Sequence, residues 1–185
     1  IILAARLIEN LGEVFKGRTP KEWTLEELSE AARTGLKNRD FANGRKMFAA
    51  SGCFACHRFG DQGGMTGPDL TSAGGRYSPH DLLDQVVNPS KVINDQFSSI
   101  KVLTEDGVVH TGVVVNLNGD SITINTDLTD PNKRVNVNRN EIEELVVSDV
   151  SAMPVGLFNP MTKEEILDLI AYLISGGDSK HAFFN

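Results

Sequence analysis

The chain of 185 residues holds two cysteines, three positions apart, with a histidine directly after the second: Cys53-Phe54-Ala55-Cys56-His57. No other stretch restricts the fold as much. Two thiols at this spacing match the two vinyl groups on one edge of a porphyrin, and the adjoining imidazole falls under the iron as proximal ligand. The run is the attachment signature of c-type haem. A zinc site needs four ligands, and neither a second Cys-x-x-Cys nor a paired histidine is present to complete a set. A thioredoxin-like dithiol expects a strand before the motif and a helix after it. Here a helical pattern precedes, and Phe59-Gly60-Asp61-Gln62-Gly63-Gly64 reads as loop.

Bulk properties narrow the partners. With 40% hydrophobic and 23% charged residues the chain has material for a core in one or two modest domains. Its formal net charge of -7 argues against nucleic acid, because phosphate binding wants a basic face. A basic patch on a redox partner suits it better. No run is long and apolar enough to span a membrane. Ile1-Ile2-Leu3-Ala4-Ala5 is interrupted by Arg6 and Glu9 and lacks the basic first region of a signal peptide. Haem attachment outside the cytoplasm requires export. The expectation is therefore a periplasmic or otherwise exported protein, with its signal removed or the chain taken from a longer one. Both cysteines serve the motif, so no internal disulfide is expected.

Residues 1–35 read as a helical extension. Ile2, Leu3, Leu7, Leu11, Val14 and Phe15 fall on one face, Gly17 and Pro20 break the pattern, and Thr24 with Glu27 forms a capping box before Leu28, Ala31 and Ala32. Such a stripe serves either packing against the main domain or docking, including a homodimer through these helices; packing is the commoner use. Asp40 can cap a helix to about Ala50 with Phe41, Gly44 and Phe48 on its inner face, the glycine permitting a close crossing. After the motif, Gly67-Pro68-Asp69-Leu70 offers a backbone carbonyl near Pro68 to the second ring nitrogen of His57, a bond that would fix the ring. Gly74-Gly75-Arg76-Tyr77 either brings a cation and a phenol to haem propionates or is a solvated loop. Ser78-Pro79 starts a helix with Leu82, Leu83, Val86 and Val87 inward, ended at Asn88-Pro89.

From Phe97 the period changes to two. Runs at 97–104, 108–115, 121–126, 134–137 and 142–147, with turns at Asp106-Gly107 and Asn118-Gly119, predict a small antiparallel sheet or partly closed barrel over 97–148. Ser151-Ala152-Met153-Pro154 returns to loop. Thr162 to Glu165 then caps a helix with Ile166, Leu169, Ile170 and Leu173 inward and Tyr172 beside them, stopped at Gly176-Gly177.

The set of an N-terminal helix with an inner glycine, Cys-x-x-Cys-His, Gly-Pro-x-Leu, a Met-Pro loop and a final helix with an aromatic resembles class I cytochrome c. More closely it is similar to a haem-binding domain of planctomycete and verrucomicrobial proteins, where it often ends long chains with propeller, dehydrogenase-like or helical-repeat regions. The match runs from Arg39-Asp40-Phe41 through the motif, Gly67-Pro68-Asp69-Leu70-Thr71, Pro89-Ser90, Asp106-Gly107 and Met153-Pro154 to Glu165–Leu173. The resemblance implies a mainly α class I cytochrome c fold with an inserted small antiparallel β-sheet or barrel, α+β overall. Its domain parts are 36–96 and 149–177 around the insertion at 97–148, with 178–185 as tail. It implies one covalent haem c, with Cys53 and Cys56 as anchors, His57 as proximal ligand and Met153 as distal ligand. A thioether there is a neutral, soft ligand that favours ferrous iron. Met47 reads as core, Met65 as too close to the motif in sequence, Met161 as a helix start, and His80, His110 and His181 as surface.

With both axial positions filled, the expected function is outer-sphere electron transfer rather than catalysis, with an attached or encountered dehydrogenase as donor. A gas sensor or peroxidase-like enzyme needs an open distal site, and the Met153 loop supplies no acid–base group. A third reading makes the inserted sheet a partner-binding surface.

Overall fold

The computed structural model describes residues 13–128, 130 and 132–185. The predicted stripe residues Ile2, Leu3, Leu7 and Leu11 lie outside them. The chain divides into two compact units, Ile1–Asn88 with Pro154–Asn185, and Pro89–Met153.

In the first unit, α1 (Leu25–Gly35) starts where the Thr24 side chain accepts the Glu27 N–H at 3.2 Å and the Glu27 carboxylate accepts the Thr24 N–H at 3.1 Å. This reciprocal cap satisfies donors that a helix start leaves orphaned. Its buried positions Leu28 and Ala32, continued by Leu36 just past the end, sit at helical spacing. Upstream, only Glu13–Phe15 forms a turn, of 3-10 type. Residues 18–23 are pinned to the last helix and the segment before it: Arg18 to Glu165 at 2.6 and 3.0 Å, the Lys21 N–H to the Asn159 carbonyl at 2.9 Å, and the Trp23 indole N–H to the Met161 carbonyl at 3.2 Å. Residues 13–35 are thus used for packing within the unit.

Asp40 caps α2 (Phe41–Ala50) by accepting the Asn43 N–H at 2.9 Å. A single turn, α3 (Cys53–Cys56), follows. The stretch read as loop after the motif is instead a short antiparallel ribbon, β1 (Arg58–Phe59) against β2 (Gln62–Gly63). Two-residue strands are too short to show periodicity, and Gly60, at φ 66°, makes the turn possible. Helix α4 (Pro79–Val87) has Ser78 and Asp81 as its reciprocal cap, and α5 (Lys163–Ile174) has Thr162 and Glu165.

Helix α5 is the axis of this unit. The sequence predicts one inner stripe, but every residue from Ile166 to Leu173 is buried. Helices α1, α2 and α4 and the turn Ala73–Gly75 all pack on it, so it has no outward face along that stretch. The crossing of α2 over α5 is close because Gly44 lies on the Asp168 carbonyl and beside Tyr172. Around it Tyr172 meets Phe41 at 5.4 Å and Phe59 at 5.0 Å between ring centroids, in edge and tilted geometries. Asp168, inside this apolar surrounding, is satisfied by the Asp40 N–H at 3.1 Å and the Asn43 amide at 2.8 Å.

The second unit is a five-stranded antiparallel sheet of β3 (Ser99–Thr104), β4 (Val109–Asn118), β5 (Ser121–Asn125), β6 (Arg134–Asn138) and β7 (Ile142–Val147), in the order β6-β5-β4-β3-β7. Gly107 and Gly119, at φ 80° and 50°, sit in the hairpin turns that join β3 to β4 and β4 to β5. Strands β6 and β7 are neighbours in sequence but opposite edges of the sheet, joined only by the 3-10 turn Arg139–Glu141. Laid flat, the edges would be about 19 Å apart, at ~4.8 Å for each strand gap. From Asn138 to Ile142 the chain reaches at most about 14 Å. The sheet therefore curls into a partly closed barrel. The shift in register between Val114 and Asn116 lies in its longest strand, the kind of irregularity that increases bend and twist. Ile100, Val102, Ile122, Ile124 and Val137 fill the interior.

The architecture is mixed: helices around α5 in one unit, an antiparallel sheet in the other. No helix among the described residues is long and apolar enough to cross a membrane.

Candidate functional site

The motif is positioned by what precedes it. Helix α2 ends at Ala50, and Gly52 turns the chain with φ 73°, a left-handed conformation that favours glycine. One helical turn then carries Cys53 and Cys56, whose i and i+3 positions share a face. His57 leaves that turn extended, at φ -103° and ψ 133°, with its N–H on the Cys53 carbonyl at 2.9 Å. Both cysteines are free thiols and half-buried. Burial pushes the Cys53 thiol up from its ordinary pKa, opposed by the Ser51 hydroxyl 3.3 Å from its sulfur.

The loop beyond folds back over the motif. The Gly64 N–H meets the Phe54 carbonyl at 2.8 Å, and the Gly67 N–H meets the Cys56 carbonyl at 2.8 Å. The imidazole Nδ1 of His57 lies 2.8 Å from the Pro68 carbonyl oxygen. A carbonyl only accepts, so Nδ1 carries the proton and Nε2 is left with its lone pair. Nε2 makes no hydrogen bond among the described residues. Burial pulls the pKa of His57 down, and the Pro68 bond acts against it. Gly67 lies flat on the ring: a Cβ there would be 2.8 Å from Cε1. Sequence reading singled out Gly67 only as part of the Gly67-Pro68 turn, not for its contact with the ring, and gave Gly64 and Ser51 no part in the site. A glycine pressed on a side chain leaves no periodic trace.

Cys53, Cys56, His57 and Pro68 are brought together. Arg76 and Tyr77 stand on the exposed side of the turn Ala73–Gly75. Arg76 donates to the Asp69 carbonyl at 2.8 Å, and its guanidinium sits 5.8 Å from the Tyr77 ring centroid. This stretch is not simply a solvated loop, since Ala73 is buried and Gly74 lies on the Ile174 carbonyl. Met153 belongs to the second unit, half-buried, with its N–H on the Ser151 hydroxyl at 3.2 Å. The other methionines divide sharply. Met47 and Met161 are core residues, at 0% and 3% exposure, and Met65 is 80% exposed. His80 shares a 2.7 Å hydrogen bond with Ser29, and His110 and His181 are half-buried rather than fully at the surface.

The donor set fits a group held at two thiols and ligated by one imidazole. Among the described residues, no three His, Cys, Asp or Glu side chains converge as a bare metal ion would require. Here the thiols sit on a helix face, while the imidazole has one nitrogen anchored and the other presented. That is the second-order fixing seen for ligating histidines. No curated protein matches the chain. Residues 41–101 match the family model described as Cytochrome c, from the start of α2 into β3, and the match does not extend to Met153 or α5. Residues 41–101 thus carry a cytochrome c domain, whose cofactor is covalently attached haem c with iron.

Proposed function

We propose that this chain is a one-electron carrier of class I type, with Cys53 and Cys56 as thioether anchors, His57 as proximal ligand and Met153 as distal ligand. The observation that carries the reading is the His57–Pro68 hydrogen bond, which leaves Nε2 as a basic, oriented donor. Bound there, haem supplies a ferrous/ferric couple. The chain's own residues do the rest. Pro68 holds the ring and its tautomer. Gly67 sets the plane in which the ring can lie. Pro154 restrains the backbone at Met153. Arg76 and Tyr77 offer polar partners to propionates. On this reading 36–96 and 149–177 form one haem domain interrupted by the sheet, as in the planctomycete and verrucomicrobial domain it resembles. An exported, periplasmic setting goes with haem attachment outside the cytoplasm, and a dehydrogenase, attached or encountered, is the donor. The acidic balance suits a basic partner surface, so electron exchange should slow as salt is added. A homodimer through the N-terminal extension, residues 1–35, belongs with this proposal.

The test is an absorption spectrum of the haem-loaded chain, oxidised and reduced, with and without carbon monoxide. The expected result is a sulfur-to-ferric-iron charge-transfer band that Met153→Ala abolishes, and no ready carbon monoxide binding. A band that survives Met153→Ala assigns another methionine. Fast, complete carbon monoxide binding by the unaltered chain means an open distal site, and with it a sensor or enzyme.

A further inference from the structure

We propose that the cleft between α1 and the first turn of α4 binds a small organic anion with an apolar body, of the class of medium-chain monocarboxylates. The cleft measures about 770 Å³, within the range of small-ligand clefts. One face of α1 and its continuation forms a wall: Ser29, Ala32, Arg33, Leu36 and Lys37 recur at helical spacing. Pro79 and His80 at the start of α4, and Phe183 near the C-terminus, line it as well.

The chemistry divides cleanly. Ala32 and Leu36, both nearly buried, with Pro79 and Phe183, offer apolar surface to a hydrocarbon body. Arg33 and Lys37 stand at the exposed rim, and neither has an ion-pair partner among the described residues. Among the described residues no Asp or Glu lines the cleft, although the chain as a whole carries a formal charge of -7. A cleft lined by one sign of charge concentrates its field on an opposite ion. The guanidinium fork matches a carboxylate in two parallel hydrogen bonds, and the ammonium adds a point charge. A cation in the last turn of a helix already complements the helix dipole, which accounts for Arg33 by itself. It accounts neither for Lys37, beyond the helix end, nor for the apolar residues that line the same cleft. The Ser29–His80 hydrogen bond at 2.7 Å ties α1 to α4 across the cleft, so the walls are held before a ligand arrives.

None of the lining residues belongs to the Cys-x-x-Cys-His site, so this inference stands or falls apart from the haem reading. The experiment uses the full haem-loaded chain in its reduced state, titrated with decanoate and followed by amide chemical shifts. Saturable shifts are expected at Ser29, Arg33, Lys37 and His80, in the absence of micelles. The double variant Arg33→Gln/Lys37→Gln, both surface residues, should weaken binding about tenfold or more. Lys180→Gln, outside the cleft, should leave it unchanged. Acetate, which lacks the body, and decyltrimethylammonium, which lacks the anion, should both fail to saturate these residues. The proposal is overturned if decanoate gives no saturable shift at these residues, if the double variant binds as the wild type does, or if either control probe binds equally well.

Discussion

Gly44 of α2 rests on the backbone carbonyl of Asp168 in α5. A Cβ at position 44 would collide with that carbonyl and lie 2.8 Å from Tyr172 Cβ. A carbonyl inside a helix cannot swing aside, so the two helices would have to separate. Overpacking of this kind costs typically 1–3 kcal/mol. Alanine regains up to about 1 kcal/mol of helix propensity. Gly44→Ala should therefore destabilise the haem-loaded chain by roughly 1–2 kcal/mol in urea unfolding. A change indistinguishable from zero means that the crossing has slack.

Asp168 belongs to the same contact. Its carboxylate accepts the Asp40 N–H and the Asn43 amide, and lies 3.7 Å from Arg39 Nε. Asp168→Ala leaves those donors without a partner next to an apolar core, at a cost of about 2–4 kcal/mol. Asp168→Asn keeps an acceptor oxygen and should cost less than half as much. Equal losses in the two variants, measured by urea unfolding, would show that packing rather than hydrogen bonding holds this position.

How much of this the sequence discloses depends on the range of the interaction. The caps at Thr24, Asp40, Ser78 and Thr162 join residues three apart, so the helix starts are readable directly. The sheet is readable because Ile122, Ile124, Val135 and Val137 alternate with polar residues. Gly44 was readable as a close crossing, because an inner-face glycine has few other uses. Asp168 was not. Its partner Asn43 is 125 positions away, and a lone acid in an apolar stripe gives no sign of which way it points. The closure of the barrel was only half readable. Strand alternation says nothing of strand order, and it is the order, with β6 and β7 at opposite edges, that forces the curl. At the candidate site the ligand types were explicit, whereas the contact of Gly67 with the ring exists only in three dimensions.

Arg18 fixes the N-terminal segment to the closing helix through Glu165, and its hydrogen bond holds that carboxyl below the usual carboxylate range. A carboxyl with a lowered pKa in the folded state contributes stability above its unfolded value of about 4.3, and loses it as pH falls through the lower folded value. Arg18→Gln should cost about 1 kcal/mol or less at neutral pH, since the arginine is one-third exposed. The difference from wild type should shrink as the pH is taken below about 4. The check is thermal unfolding as a function of pH. A difference that stays constant from neutral to acid pH would show that Arg18 acts through packing alone.

Gly67→Ala tests the proximal side. The added methyl would lie within 3.0 Å of His57 Cε1 and Nδ1, so the ring must tilt or the loop must retreat from Pro68. Either movement weakens the hydrogen bond that makes Nε2 a better donor. The variant should retain covalent haem, because Cys53 and Cys56 are untouched, but its midpoint potential and ferric spectrum should shift. Pro68 acts here only through its carbonyl, so Pro68→Ala with the loop intact should change both properties less than Gly67→Ala does. The reverse order would place the control of the ring in the proline itself.

Ile124 reports on the second unit by itself. It is fully buried in the barrel interior beside Ile122, Val102 and Ile100. Ile124→Ala removes the transfer free energy of the lost carbons and leaves a cavity, together worth about 2–5 kcal/mol. If residues 89–153 open as their own cooperative unit, amide exchange should accelerate throughout β3 to β7 and remain unchanged in α2 and α5. Covalent haem attachment should be unchanged, since Cys53, Cys56 and His57 all lie in the other unit. Equal acceleration in α2 and α5 would mean that the two compact units open in one step. The sheet would then be part of the haem domain's folding unit rather than an insertion with a stability of its own.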